Sequence, residues 1–477
     1  MARLFVSAGH KSSGKTTITI GLAAALSADG ATVQTFKKGP DYIDPMWLGR
    51  ASGRPCYNLD FNTQTHEGIL ATFARNALGA DIALIEGNKG LHDGVDVEGS
   101  DSSAALAKLL TAPVVMVIDA CGMARGVAPL VQGYAAFDPQ ARIAGVILNK
   151  VGTERQTAKL VNALERYTDI PVVGAVGRDD GIAVRERHLG LTTPGETGDG
   201  DAIVASASAA VRRSVDLDRV RRIAASAPRF PPPVAIAEAR PNPDVTVAVA
   251  RDEAFGFYYA DDLEAFARAG ARLAFFDALR DPALPRCDAL FIGGGFPETQ
   301  AARLAANSAL RSDIREAIAR GMPTYAECGG LMYLSRSIVW DGETWPMVGA
   351  IPADARMYPR PQGRGLVALE ETGRAPWSVG ARRLPAHEFH HAAIEGLPAD
   401  CAFAYRVRRG VGVDGRSDGV VLGSLVAGFS HLRDTPDAPW VERFVAFARE
   451  RRGCAPPLRD VAGTDCSCAA PIAAHAG

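Results

Sequence analysis

Nothing in this sequence is long and apolar enough to span a bilayer. The longest apolar stretch, Leu109 to Ala124, is broken by Pro113 and Asp119, whereas a membrane helix requires about 20 consecutive apolar residues. A secretory signal is missing too, because Met1–Ala8 gives way at once to Gly9-His-Lys and reads as a first strand. No charge of one sign dominates. The 52 basic and 54 acidic side chains leave a formal charge of −2, which gives no global field for nucleic acid or a membrane surface, so any acidic partner must be bound locally. Cysteine is sparse: 8 residues scattered through 477 exclude a dense disulfide framework and fit reduced thiols in a cytoplasmic protein.

What is present is length and alternation. A chain of 477 residues exceeds the roughly 250–300 at which a single core stops growing, which predicts two domains. In the first, residues 1–224, apolar runs at Leu4–Ala8, Thr32–Phe36, Asp81–Glu86, Val114–Asp119, Ala144–Asn149 and Val172–Val176 alternate with amphipathic segments. That pattern predicts an α/β fold, a parallel sheet covered by helices on both faces, with ligands at the carboxyl ends of the strands. Prolines in Ala225–Pro233 and Arg240–Pro243 break every periodicity and mark residues 225–244 as a linker. Strand-like runs resume at Val245–Ala250, Arg272–Phe276, Ala289–Ile292 and Thr324–Ala326, predicting a second α/β domain over 245–452. Residues 453–477 lack apolar periodicity and read as a disordered tail, whose Cys454, Cys466, Cys468 and His475 fit no zinc spacing.

Gly9-His-Lys-Ser-Ser13-Gly14-Lys15-Thr16 matches G-x-x-x-x-G-K-[ST], follows a strand and precedes the helical run Thr17–Ala28. Such a loop wraps phosphates with backbone N–H groups, brings its lysine to the β/γ oxygens and offers its threonine hydroxyl to Mg²⁺. Gly9, Ser13, Gly14, Lys15, Thr16 and Thr17 are therefore the candidate ATP-binding residues. Glu86, closing an apolar strand, is the candidate second Mg²⁺-side group, and Asp119 ends the next strand. Asn149 ends the fifth strand. Phe36-Lys37-Lys38-Gly39-Pro40-Asp41-Tyr42-Ile43-Asp44-Pro45 follows the second strand; its lysines suit carboxylates or phosphates, and Tyr42 with Trp47 offers flat surface for a large ring system. The same text reads equally as a proline-bracketed surface loop.

In the second domain Pro323-Thr-Tyr-Ala-Glu-Cys328-Gly329-Gly330-Leu places a thiol at the apex of a strand–turn–helix. This is nucleophile-elbow geometry, in which the helix end lowers the thiol pKa and the Gly329 N–H helps hold an oxyanion. Gly294 and Gly295, in the loop after another strand, complete that hole, and His431, late in the chain, is the candidate base. Together the two domains predict glutamine hydrolysis at a cysteine and phosphoryl activation of a carboxylate. The histidine-rich run Ala386-His387-Glu388-Phe-His390-His391 does not have the H-E-x-x-H order and reads more readily as an ordinary strand than as a metal site.

Six stretches together carry a resemblance: Gly39-Pro-Asp-Tyr-Ile-Asp-Pro45, Glu86-Gly87 with Gly90-Leu-His-Asp-Gly94, Arg187-His-Leu-Gly-Leu191, Gly293-Gly-Gly-Phe-Pro-Glu298, Ala326-Glu-Cys-Gly-Gly-Leu-Met-Tyr-Leu334 and Glu388-Phe-His390. On these residues the chain resembles the cobyrinic acid a,c-diamide synthase family, glutamine amidotransferases of cobalamin biosynthesis. The resemblance implies a P-loop domain of the dethiobiotin-synthetase type joined to a class I glutaminase domain. It also implies ATP, Mg²⁺ and L-glutamine as requirements, and amidation of a corrinoid polycarboxylate at its a and c positions. It gives Lys15, Thr16 and Glu86 to nucleotide and metal, turns Asn149 toward adenine, and sets Lys37, Asp41, Tyr42, Ile43, Asp44 and Asp93 near the corrinoid. Cys328 becomes the nucleophile and His431 its activator. A homodimer is compatible with the resemblance. Its rivals are a related tetrapyrrole amidase, such as cobyric acid synthase or the nickel-sirohydrochlorin enzyme, and a P-loop ATPase module that forms no amide. Two positions depart from the class I pattern: Ala326 replaces a common Gly, and Arg433 stands where a Glu would orient the histidine, leaving Asp434 as a substitute third member.

Overall fold

The computed structural model describes residues 1–178, 186–187, 190–232, 242–380 and 382–452. Residues 188–189 of the Arg187–Leu191 stretch, the centre of the proline-rich linker and the cysteine-bearing tail lie outside the described residues. Among those described, no helix is long and apolar enough to cross a membrane.

The first sheet has seven strands in the spatial order Tyr57–Leu59, Val33–Lys38, Ile82–Glu86, Ala2–Ala8, Val114–Asp119, Ile143–Val151, Val172–Gly177, and every pairing in it is parallel. Its central strands Ile82–Glu86 and Val114–Asp119 read as apolar runs closed by an acid because both faces are covered. One face packs on the helices Lys15–Ala28 and Gly200–Ser214, the other on the helices His66–Asn76, Ser103–Leu109 and Glu154–Tyr167. The expected strands are all present; Tyr57–Leu59, at the edge, is too short to have shown a period.

The second sheet has nine strands, ordered Ala271–Phe276, Val245–Ala250, Ala289–Ile292, Thr324–Glu327, Leu425–Gly428, Ser417–Leu422, Ala402–Arg409, Gly363–Glu371, Arg383–His390. The first five run parallel and the rest are joined antiparallel. The expectation of a second α/β unit is met by the parallel part. The antiparallel extension carries alternating polar residues outward, as in the burial of Gly363–Glu371, and hid its strands from a search for continuous apolar runs. Leu425–Gly428 enters the sheet beside Thr324–Glu327, which brings the residues around 431 next to the elbow at 328.

Candidate active site

The phosphate loop is shaped by two left-handed residues, Ser12 (φ 63°) and Gly14 (φ 85°). Gly14 precedes the helix Lys15–Ala28, and a β-carbon there would lie 2.1 Å from Asn149 Nδ2, so only glycine fits. Asn149 donates to the Ser13 carbonyl at 2.9 Å, which engages its amide with the rear of the loop. Lys150 braces the same loop through Ser12 O at 2.8 Å while pairing with Asp119 at 2.7 Å. Tyr134 donates its hydroxyl to Gly9 O.

In front of the loop sits a buried cation enclosed by acids. Lys37 Nζ pairs with Asp44, lies 2.8 Å from Glu86 Oε1 and 3.8 Å from Asp41 Oδ2. Thr16 Oγ1 donates to Glu86 at 2.8 Å and reaches Asp44 at 3.3 Å. Burial works against the Lys37 charge, but Asp44, Glu86 and Asp41 outweigh it and hold the ammonium well above the usual lysine range. Burial, with Asp44 alongside, pushes Asp41 up to about 7 and raises Glu86. Burial also lowers Lys15, helped by repulsion from Lys37. Glu86 Oε2 is fully enclosed without a hydrogen-bond partner among the described residues. An orphaned carboxylate oxygen beside a threonine hydroxyl and a second acid is a donor set suited to a hard divalent cation.

Residues 41–44 face two ways. Asp44 points to Thr16 and Lys37, whereas the Tyr42 ring leaves the first sheet altogether and packs among groups of the second. Trp47, expected beside it as a ring platform, is instead fully buried with its indole N–H on Thr192 O at 2.8 Å; so large an apolar side chain fills the interface between helices rather than a binding surface. Asp93 is exposed and accepts from Gly90 N at 2.8 Å, where a β-carbon on Gly90 would meet Gly9 O at 2.6 Å; this puts it beside the phosphate loop.

The elbow is strained in the way its sequence predicts. Cys328 has φ 48° and ψ −103° between the strand Thr324–Glu327 and the helix Gly329–Leu334, a costly backbone for a non-glycine residue that is characteristic of functional turns. Its N–H is tied to Gly428 O at 2.7 Å. A β-carbon on Gly330 would strike Ile292 O at 2.2 Å, and one on Gly329 would come within 3.0 Å of Gly295 N. The Gly294–Gly295 segment is thereby held against the elbow, with Gly294 in contact with the His431 ring.

His431 is buried and held from several sides. Asp418 accepts from Phe429 N and Ser430 N, each at 2.9 Å, fixing the approach to the histidine. Its backbone pairs with His387, whose ring stacks on it at 4.9 Å. Nδ1 of His431 lies 3.2 Å from Glu327 Oε2, and Glu327 Oε1 accepts from Leu432 N at 2.9 Å and Tyr325 OH at 2.8 Å. Burial opposes a charge on the imidazole, but the adjoining Cys328 and Glu327 overcome it and push its pKa up to about 10. Cys328, His431 and Glu327 thus form one line of thiol, imidazole and carboxylate, the arrangement that activates a nucleophile by removing its proton.

Two family matches cover these two pockets. Residues 4–190 match the CobQ/CobB/MinD/ParA nucleotide binding domain, and residues 246–437 match the CobB/CobQ-like glutamine amidotransferase domain. Among its relatives, the cobyrinate a,c-diamide synthase of Magnetococcus marinus is 45% identical over 464 residues, covering 95% of this chain and 99% of that one. The chain belongs to the cobyrinate a,c-diamide synthase family. Other relatives include the cobyrinate a,c-diamide synthase of Methanosarcina barkeri, 38% identical over 94% of this chain and 96% of its own, and the hydrogenobyrinate a,c-diamide synthase of Brucella anthropi, 40% identical over 91% and 99%.

Membership in the cobyrinate a,c-diamide synthase family makes the protein a glutamine-dependent amide-forming enzyme with a nucleotide-binding unit, and gives meaning to the residues that depart from the class I pattern. Arg433 does not approach the imidazole. Its Nη2 bonds Asn58 O at 2.7 Å and Asp261 Oδ2 at 2.6 Å. Asp434 accepts from Val441 N at 3.0 Å instead of facing His431. The carboxylate on Nδ1 is Glu327, which the sequence reading passed over although a buried acid ending a strand directly before the nucleophile was the available signal. The 387–391 run serves architecture: Glu388 accepts from Val411 N at 2.7 Å and Gly412 N at 2.8 Å, and the His390 ring lies on Phe429 at 3.7 Å.

Proposed function

We propose that this chain converts the a and c carboxylates of cobyrinic acid into carboxamides, using glutamine as nitrogen donor and ATP as activator, within cobalamin biosynthesis. The kinship of nearly the whole chain to cobyrinate a,c-diamide synthases carries this reading, and the two pockets supply the chemistry. The hydrogenobyrinate a,c-diamide synthase among the relatives supports a second reading, in which the ring arrives without cobalt.

In the glutaminase half, residues 245–452, His431 takes the proton of the Cys328 thiol, oriented by Glu327 on its other nitrogen. The sulfur attacks the carboxamide carbon of glutamine, and backbone N–H groups around Gly294, Gly295 and Gly329 hold the oxygen that becomes negative. His431 returns the proton to the departing nitrogen, ammonia leaves, and water cleaves the thioester to glutamate. In the synthetase half, residues 1–224, Gly9, Ser13, Gly14, Lys15, Thr16 and Thr17 bind the phosphates, with Asn149 fixing the loop from behind. Thr16, Glu86 and Asp44 would hold Mg²⁺, which would supply charge neutralisation at the phosphates. Lys15 and Lys37 stabilise negative charge while a substrate carboxylate near Asp93 takes the phosphoryl group; ammonia then displaces phosphate to leave the amide.

Purified protein with ATP, Mg²⁺ and glutamine should convert two carboxyls of one of the two acids, read by mass spectrometry of the corrinoid. Supplying each acid separately identifies the true substrate. Absence of amide from both would overturn the proposal.

A further inference from the structure

The residue at position 433 and the ring at position 42 meet in one device. We propose that the segment Gly39–Asp44 couples glutamine hydrolysis to the state of the nucleotide pocket, with Tyr42 as a positioning residue for His431 and Arg433 as the strut that anchors the segment. The inference rests on the reading of Cys328 and His431 as the glutaminase pair and of the Lys15–Glu86 pocket as the synthetase site.

Tyr42 is contributed by the first half of the chain, yet its surroundings belong to the second. Its ring stacks on Phe257 at 5.4 Å and 6°, and packs against Tyr259 at 4.8 Å, His387 at 5.4 Å and His431 at 5.0 Å. Only 8% of the residue is exposed. Tyr42 therefore forms part of the wall around the imidazole that must accept and return a proton. Two residues further on, Asp44 is committed to Lys37 and Thr16 in front of the phosphate loop. Two residues of chain span at most about 7 Å, so a displacement of the backbone at Asp44 is passed on to Tyr42.

The other end of the segment is fixed by the edge strand of the first sheet, which is braced in turn from the glutaminase side. Asn58 donates Nδ2 to the carbonyls of Gly39 at 2.8 Å and Asp41 at 2.7 Å. The carbonyl of Asn58 accepts from Arg433, two residues beyond His431, and the same guanidinium lies 4.9 Å over the Tyr259 ring that packs on Tyr42. Residue 433 thus holds the synthetase segment and leaves the orienting of His431 to Glu327. At its synthetase end the segment carries a group that a phosphate's counter-cation also requires, the Asp44 carboxylate, which reaches the Thr16 hydroxyl at 3.3 Å. Filling the nucleotide pocket competes for that carboxylate, shifts Asp44, and alters how Tyr42 walls the imidazole. This is a stated physical route between two sites, which is what coupling demands.

The test uses the full-length protein and its Tyr42→Ala, Tyr42→Phe and Arg433→Lys forms. Glutamate release is measured with glutamine alone and after adding ATP, Mg²⁺ and cobyrinic acid, alongside amide formed from glutamine and from added ammonia. In the unaltered protein glutamate release rises when the acid and ATP are added and matches the amide formed. In Tyr42→Ala and Arg433→Lys that rise is lost and glutamate exceeds amide severalfold, while amidation from ammonia persists and reports a folded synthetase pocket. Tyr42→Phe, which keeps the ring, keeps the coupling. Variants that retain both the rise and the ratio would overturn the inference, as would equal losses with both nitrogen donors, which would assign Tyr42 to the acid substrate. An unaltered protein that releases no glutamate under any condition would instead remove the glutaminase reading, and the coupling with it.

Discussion

Glu327 and His431 are 104 positions apart and touch through Oε2 and Nδ1 at 3.2 Å. The contact depends on neighbouring parallel strands, Thr324–Glu327 and Leu425–Gly428, delivering the acid and the histidine to the same edge. A carboxylate on Nδ1 fixes the tautomer that leaves the other ring nitrogen free to serve the thiol.

Removing that charge should be visible in the pH profile. Glu327→Gln is expected to lower glutamine-dependent amidation by about a hundredfold, within the range of lost acid–base assistance, and to leave ammonia-dependent amidation intact. The His431 pKa, held at about 10 by Cys328 and Glu327 against the opposing effect of burial, falls when the negative partner is neutralised. The alkaline limb of kcat/KM for glutamine therefore moves to lower pH. An unmoved limb would take the orienting role away from Glu327.

Cys328→Ser should abolish amidation from glutamine and preserve it from ammonia, because the two pockets handle separate bonds. Lys15→Ala should abolish both, since either nitrogen source needs the activated carboxylate. Steady-state rates with each donor check the pair, and retained glutamine-dependent activity in Cys328→Ser removes that residue as nucleophile.

Lys37→Met deletes the cation among Asp41, Asp44 and Glu86. Breaking a buried ion pair from one side costs about 3–5 kcal/mol, so chemical denaturation should show a loss of that order. Mg²⁺ should restore part of it, because a divalent cation replaces the missing charge. No recovery with Mg²⁺ would argue against these carboxylates as its ligands.

Gly330→Ala places a methyl group 2.2 Å from Ile292 O, which is backbone and cannot swing aside. Overpacking of this kind costs about 1–3 kcal/mol, and the displaced elbow should lose glutaminase turnover beyond what the stability change explains. Thermal melting and glutamate release measured together separate the two effects.

The phosphate loop and the elbow were legible in the sequence because each is a contiguous run whose glycines are required by its own backbone. Gly14 and Gly330 mark positions where a side chain has no room. Parallel strands such as Ile82–Glu86 and Val114–Asp119 were equally plain, being apolar up to their last residue. Glu327 stood inside a recognised motif, but its role depends on a partner delivered by a strand about a hundred residues later. Arg433 was visible as a departure from a pattern, and its purpose appeared only with Asn58 opposite it. The ring of Tyr42 was read as a platform for substrate because nothing local says that the other half of the chain closes over it.

Nη2 of Arg433 donates to acceptors on both sides of the junction, the Asn58 carbonyl and Asp261 Oδ2. Parting the two halves at the linker would exchange the Arg433–Asn58 bond for water on each side and expose the ring of Tyr42 together with Phe257 and Tyr259. Fragments made for biochemical dissection would thus carry a freshly bared aromatic face, prone to self-association, that the intact polypeptide keeps covered.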